Sequence, residues 1–253
     1  MRLCGESDGD AGAGFSEVLL TVERNAQSAL GVAFERVEKR YGGLFALRRV
    51  SLRIEPGEFV ALFGPNGSGK TTLLRMAALL VRPSAGRVYH PGAENLSSEA
   101  VRRQIGLVGH KTLAYDELSA RENLIFFARL YGLENPAERA EEALSAVGLG
   151  KRAGDAASTF SRGMRQRLAI ARALVTEPRL LLFDEPATGL DRQGREWLDE
   201  TFQTLHRSGA TLVISTHDEA LAALAGRSVW LQGGRMIRDS AGEPAPLAPE
   251  ARS

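Results

Sequence analysis

Hydrophobic residues in this chain fall into two kinds of block that take turns along its length, short runs suited to strands and longer stretches with helical periodicity. Val50, Leu52 and Ile54 alternate with polar neighbours, and Glu55-Pro56-Gly57-Glu58 then turns the chain into the run Phe59–Phe63. The stretches 180–183 and 211–215 are continuous apolar runs, the pattern of strands that a parallel sheet buries on both faces, and the stretch from Ile105 looks like a further buried strand with His110 at its end. Helices are expected to follow over Lys70–Val81, Gly194–Arg207 and Asp218–Ala225. Gly233-Gly234 reads as the turn of a hairpin.

The middle of the chain, about 93–175, reads as mainly helical. Ser119-Ala120-Arg121-Glu122 is a capping box for a helix through Tyr131 whose face is Leu124, Phe127, Ala128 and Tyr131. Asn135-Pro136 opens the next helix and Gly148 closes it. Ser161 caps a third, with Met164, Leu168, Ala171 and Val175 along one side. The expected fold class is α/β: a mainly parallel sheet with an antiparallel β portion and an inserted helical lobe. Residues 1–31, rich in Gly, Ser and acids, are expected to be a disordered leader, 32–240 the folded domain, and 241–253, with three prolines, a loose tail.

Composition narrows the classes. The 253 residues carry 32 Lys and Arg against 31 Asp and Glu, a formal charge of +1, so no electrostatic footprint for nucleic acid appears. The single cysteine, Cys4, excludes an intrachain disulfide and a cysteine-rich metal site. The longest apolar run, Met76–Val81, falls far short of the ~20 residues that span a bilayer, and no signal peptide is expected at the N-terminus. A membrane role would therefore need another protein to supply the membrane part.

The chemistry sits at predicted strand ends. Gly64–Thr71, GPNGSGKT, fits the phosphate-loop pattern between a predicted strand and a predicted helix. Its glycines let backbone N–H groups wrap a polyphosphate, Lys70 neutralises the β and γ phosphates, and the Thr71 hydroxyl suits Mg²⁺. The run 180–183 delivers Asp184 and Glu185 to the end of a buried strand, the first to hold Mg²⁺ and the second to take a proton from an attacking water. His217, after 211–215, is either a satisfied structural residue or a γ-phosphate sensor at the same edge, and the company it keeps favours the sensor. His110, beside Lys111 at the end of the strand that starts near Ile105, either packs in its loop or, as a neutral imidazole, ligates the metal or holds water.

The series GPNGSGKTT, FSRGMRQR, LLLFDEPATGLD and STHD, in that order, resembles the nucleotide-binding subunit of an ABC transporter, over about residues 32–238. The resemblance implies a P-loop ATPase core that hydrolyses ATP with Mg²⁺. It places Tyr41 on the adenine and Gly64, Pro65, Asn66, Gly67, Ser68, Gly69, Lys70, Thr71 and Thr72 around the phosphates. It gives Ser161 and Gly163 a contact with the γ-phosphate held by the opposite subunit, and Asp191 a loop linking the two sites. It sets Thr71, Asp184 and His110 at the metal, with His110 in place of the family's usual glutamine, and Glu185, His217, Lys70 and His110 in catalysis. Implied partners are membrane-spanning permease subunits and a second copy of the chain, on the cytoplasmic face of the membrane. The signature departs from the usual Leu-Ser-Gly-Gly-Gln, reading Phe160-Ser161-Arg162-Gly163-Met164. Gly109-His110 together with this signature resembles the ATP-binding subunit of the haem exporter of cytochrome c maturation. An exporter for a drug, a lipid or a copper-linked cargo shares every motif, and a soluble ABC-type ATPase of iron–sulfur assembly shares most.

Overall fold

The computed structural model describes residues 29–109 and 112–241. His110 and Lys111 lie outside the described residues, as do nearly all of the expected leader and tail. Leu30 is fully buried and Gly31 N–H donates to the Pro91 carbonyl at 3.0 Å, so the folded part takes in residues assigned to the leader.

Two compact units are present. Thr112–Thr176 forms one, and the described residues on either side of it form the other. The second unit holds both sheets. Strands β1 (Val32–Tyr41), β2 (Leu44–Ile54) and β4 (Ala85–Tyr89) make an antiparallel sheet in the order β2-β1-β4. Strands β3 (Phe59–Phe63), β5 (Ile105–Val108), β6 (Leu180–Asp184), β7 (Thr211–Thr216), β8 (Arg227–Gln232) and β9 (Arg235–Asp239) make a second, in the order β5-β6-β7-β3-β8-β9. All its pairs are parallel except β8 with β9, which Gly233 and Gly234 join at positive φ as a hairpin. The α/β class with parallel and antiparallel portions is what the structure has.

Helix α1 (Lys70–Ala77) follows β3, the short α2 (Ser98–Arg102) precedes β5, α6 (Arg192–Arg207) lies between β6 and β7, and α7 (Glu219–Ala222) follows β7. The apolar stripe of α6, Leu198, Phe202 and Leu205, is buried, and the Phe202 ring meets Phe183 of β6 edge-on at 4.7 Å. Helix α1 stops four residues short of the expected Val81. Leu79 adopts φ 56°, and the amides of Leu79, Leu80 and Val81 turn back to the carbonyls of Met76 and Arg75. The apolar run continues past that turn because Leu79 and Val81 still pack on the core.

The first unit is helical: α3 (Ala120–Leu130), α4 (Pro136–Ala146) and α5 (Arg162–Leu174). Both halves of the Ser119–Glu122 capping box form, and Leu124 and Ala128 are buried while Tyr131 is exposed. The helical stretch expected from about 93 begins at 112 in this division. Residues before it supply β5, an edge strand of the large sheet, and α2.

Candidate functional site

Parallel strands put their C-terminal ends on one edge of a sheet, and three of the sequence motifs leave this sheet there. Phe63 pairs with Thr216, and Asp184 with Ser215, so the chain departs β3, β6 and β7 side by side. Gly109 follows β5 at the same edge, Val108 pairing with Phe183. His110 comes next and is outside the described residues.

The phosphate loop begins at Gly64. A Cβ there would stand 2.2 Å from the Leu231 carbonyl oxygen, at φ 151°, so no side chain fits. Gly69 caps α1 in the left-handed region, and Lys70 is the helix's first residue. The Lys70 ammonium is 5% exposed and folds back over the loop, donating to the Gly64 carbonyl at 2.6 Å and to that of Pro65 at 3.3 Å. Ser68 is buried, and its hydroxyl has no hydrogen-bond partner. A buried, unpartnered hydroxyl inside a glycine loop is a polar group awaiting a ligand.

Asp184 and Glu185 face this loop in different ways. Asp184 is buried, and its Oδ1 accepts from the Thr71 hydroxyl at 3.0 Å and from the Ser215 hydroxyl at 2.7 Å. Glu185 sits at φ 52°, a conformation costing an ordinary residue ~1–3 kcal/mol. That turn carries its carboxylate to Lys70 Nζ, 3.3 Å from Oε1, and to His217, whose Nδ1–H donates to Oε2 at 2.8 Å. Lys70, Glu185 and His217 thus form one chain of charge and hydrogen bonds, with the imidazole at its exposed end.

The donor set decides what the site can hold. Among the described residues no group of three or more His, Cys, Asp or Glu could form an all-protein metal cage. A hydroxyl and one carboxylate in hydrogen-bond contact suit Mg²⁺ instead, which keeps several waters and takes few protein oxygens when it arrives with phosphates.

The remaining expected residues stand as follows. Tyr41 ends β1 and is 50% exposed, with the Lys39 ammonium 5.1 Å from its ring centroid. Pro65, Asn66, Gly67 and Thr72 lie in or just past the loop around Lys70. Asp191 caps α6, accepting from Gly194 N–H at 2.8 Å. In the helical unit, Ser161 caps α5 by accepting from Met164 N–H at 3.3 Å, and Gly163 lies in the first turn. Arg165, one turn on, donates to the Phe160 and Ser158 carbonyls and pairs with Asp116, fixing the approach to that cap. Asn123, buried in the same unit, accepts from Tyr115 N–H and donates to the carbonyls of Tyr115, Leu118 and Ser119.

Sequence reasoning missed Ser215. It reads there as the tail of an apolar strand, and its partners lie 30 and 31 residues away. Only the pairing of β6 with β7 reveals it.

Residues 47–188 match the ABC transporter family. The ABC transporter ATP-binding protein NatA of Bacillus subtilis (strain 168) is 42% identical over 197 residues, 76% of this chain and 80% of that protein. The daunorubicin resistance ATP-binding protein DrrA3 of Streptomyces coeruleorubidus is 38% identical over 212 residues, 82% of this chain and 67% of that protein. Among solved structures, the dimeric post-hydrolysis state of the ATP-binding cassette MJ0796, bound to ADP and Pi, superposes with a TM-score of 0.76. It is 31% identical and covers 85% of this chain and 99% of that one. The family match over residues 47–188 takes in the phosphate loop, the capped helix at Ser161 and the acid pair, and with relatives at this identity and coverage the chain belongs to the ABC transporter family and is an ATP-hydrolysing cassette of it.

Proposed function

We propose that this cassette works as a homodimer which binds ATP with Mg²⁺ and drives export through membrane-spanning permease subunits, from the cytoplasmic face of the membrane. The observation that carries the catalytic half is the Lys70–Glu185–His217 chain beside the Thr71–Asp184 pair. Lys70 takes the phosphate charge. Thr71 and Asp184 would hold Mg²⁺, which supplies positive charge to the phosphate oxygens when bound. Glu185, oriented by His217, accepts the proton of the attacking water. Tyr41 offers its exposed ring to adenine, while Ser161 and Gly163 of the second copy close on the γ-phosphate. Asp191 joins the two sites. His110 would hold water or metal, the role its place in the motif series implies. No nucleic acid is needed in this scheme.

Two observations bear on cargo. Gly109-His110 and the Ser161-Arg162-Gly163-Met164 signature favour haem for cytochrome c biogenesis. The likeness to a daunorubicin resistance protein favours a drug-like molecule.

The test has two parts. Purified chain should hydrolyse ATP only with Mg²⁺, and Glu185→Gln should retain nucleotide binding while losing at least ~100-fold in rate. Full activity in Glu185→Gln would overturn the assignment. Affinity purification of the tagged chain from gently solubilised membranes of its host then identifies the partner. A polytopic complex that binds haem supports haem export, and one that confers drug resistance supports the alternative. ATPase activity with no membrane protein retained would move the chain to a soluble role such as iron–sulfur assembly.

A further inference from the structure

Ser215 occupies a position where a parallel strand ordinarily buries an aliphatic side chain. It is fully buried, directly opposite Asp184 in the β6–β7 ladder, and follows Leu212, Val213 and Ile214. A hydroxyl there is unfavourable unless every polar contact is made. Here the contacts are made, and all go to the site. The hydroxyl donates to Asp184 Oδ1 at 2.7 Å and accepts from Glu185 N–H at 3.1 Å, while the Ser215 carbonyl accepts from the same N–H at 3.1 Å.

One side chain therefore fixes two neighbours with different tasks. The Thr71 and Ser215 hydroxyls both approach Oδ1 of Asp184. Among the described residues that leaves Oδ2 without a hydrogen-bond partner, the oxygen able to face a hydrated cation. The second effect falls on Glu185. Its N–H is shared between two acceptors of Ser215 just where the backbone turns to φ 52°. That turn sends the carboxylate to Lys70 and His217 instead of along the strand.

We infer that Ser215 is a positioning residue for hydrolysis, its hydroxyl tying the oxygen that orients the metal-facing carboxylate to the backbone of the proton-accepting glutamate. The inference rests on the ATPase reading of this site and concerns how that site is held. It assigns Ser215 no contact with nucleotide.

Ser215→Thr and Ser215→Val are the informative pair, because threonine and valine share a shape and differ in the hydroxyl. Whatever an added methyl does to packing cancels between them. Ser215→Thr should keep a Mg²⁺ half-saturation of hydrolysis near that of wild type, while Ser215→Val raises it ~10–100-fold and lowers kcat. Binding of a fluorescent ATP analogue gives a readout independent of turnover. In EDTA the two variants should bind equally, and added Mg²⁺ should tighten binding by Ser215→Thr more than by Ser215→Val. Equal Mg²⁺ half-saturation, equal kcat and equal Mg²⁺ enhancement of binding would overturn the inference. Wild-type chain that hydrolyses ATP without Mg²⁺ would instead count against the functional reading, so the two failures are separable. If both variants lose hydrolysis, the difference in Mg²⁺-enhanced binding still decides.

Discussion

At Gly64 the geometry of the phosphate loop turns on a missing carbon. A methyl group at this residue would meet the Leu231 carbonyl oxygen at 2.2 Å and the Ser68 hydroxyl at 2.9 Å, and the nearer of the two is backbone that cannot step aside. Gly67, three residues on, has φ 78° and open space around it. The two glycines separate steric need from conformational need. Gly67→Ala should cost only the left-handed preference, ~1–2 kcal/mol. Gly64→Ala adds a clash of ~1–3 kcal/mol to that and distorts the loop itself. Thermal denaturation and nucleotide binding of both variants check this, and a Gly64→Ala melting no lower than Gly67→Ala contradicts the reading. What was legible at this scale follows the same physics. Gly64–Thr71 and Asp184-Glu185 are contiguous, because a backbone cradle and a strand end are local structures. Ser215 was not legible, since its meaning comes from a partner strand.

Elements were legible where their periodicity was unbroken and obscure where it was interrupted. The runs at 180–183 and 211–215 are β6 and β7, whereas no alternation marks β1. Register shifts between Phe34 and Val37, with Arg36 at φ 47°, break its period of two. The end of α1 was misplaced because its apolar run outlasts its helix. What holds that end is a histidine the sequence did not single out. His90, just past β4, is 6% exposed and donates through Nε2–H to the carbonyl of Ala77, the last residue of α1, at 2.8 Å. That contact fills one of the acceptors every helix end leaves open. Burial pushes the imidazole below its usual range, more than the hydrogen bond raises it. In the unfolded chain this residue takes up a proton as pH falls through ~6.5, while the folded chain resists until lower pH. Its contribution to stability is therefore present above that value and declines below it. His90→Gln retains a donor and removes the titration. Wild type should lose stability relative to His90→Gln between pH 7.5 and pH 5, by thermal denaturation at about half-unit steps. Parallel curves across that window would refute the account.

For the whole molecule, the question is why one chain carries a phosphate loop and a signature helix in separate compact units. Lys70, Thr71, Asp184, Glu185 and His217 gather at one sheet edge, and Lys70 is the one lysine or arginine among these five. The amides at the start of α5, capped by Ser161, are the other anion-binding element expected from the sequence. If a second copy supplies them, nucleotide is part of the dimer interface, and dimerisation depends on intact ATP. Glu185→Gln should therefore be monomeric without nucleotide, dimeric with ATP and Mg²⁺, and monomeric again with ADP, by light scattering after size exclusion. Adding Ser161→Glu sets a carboxylate against the triphosphate and should abolish the ATP-dependent dimer. Nucleotide binding by the monomer should persist, since the loop around Lys70 is unchanged. The discriminating result is binding without dimerisation. A Glu185→Gln, Ser161→Glu chain that still dimerises with ATP would show that the signature helix does not close the site, leaving the shared-nucleotide arrangement wrong.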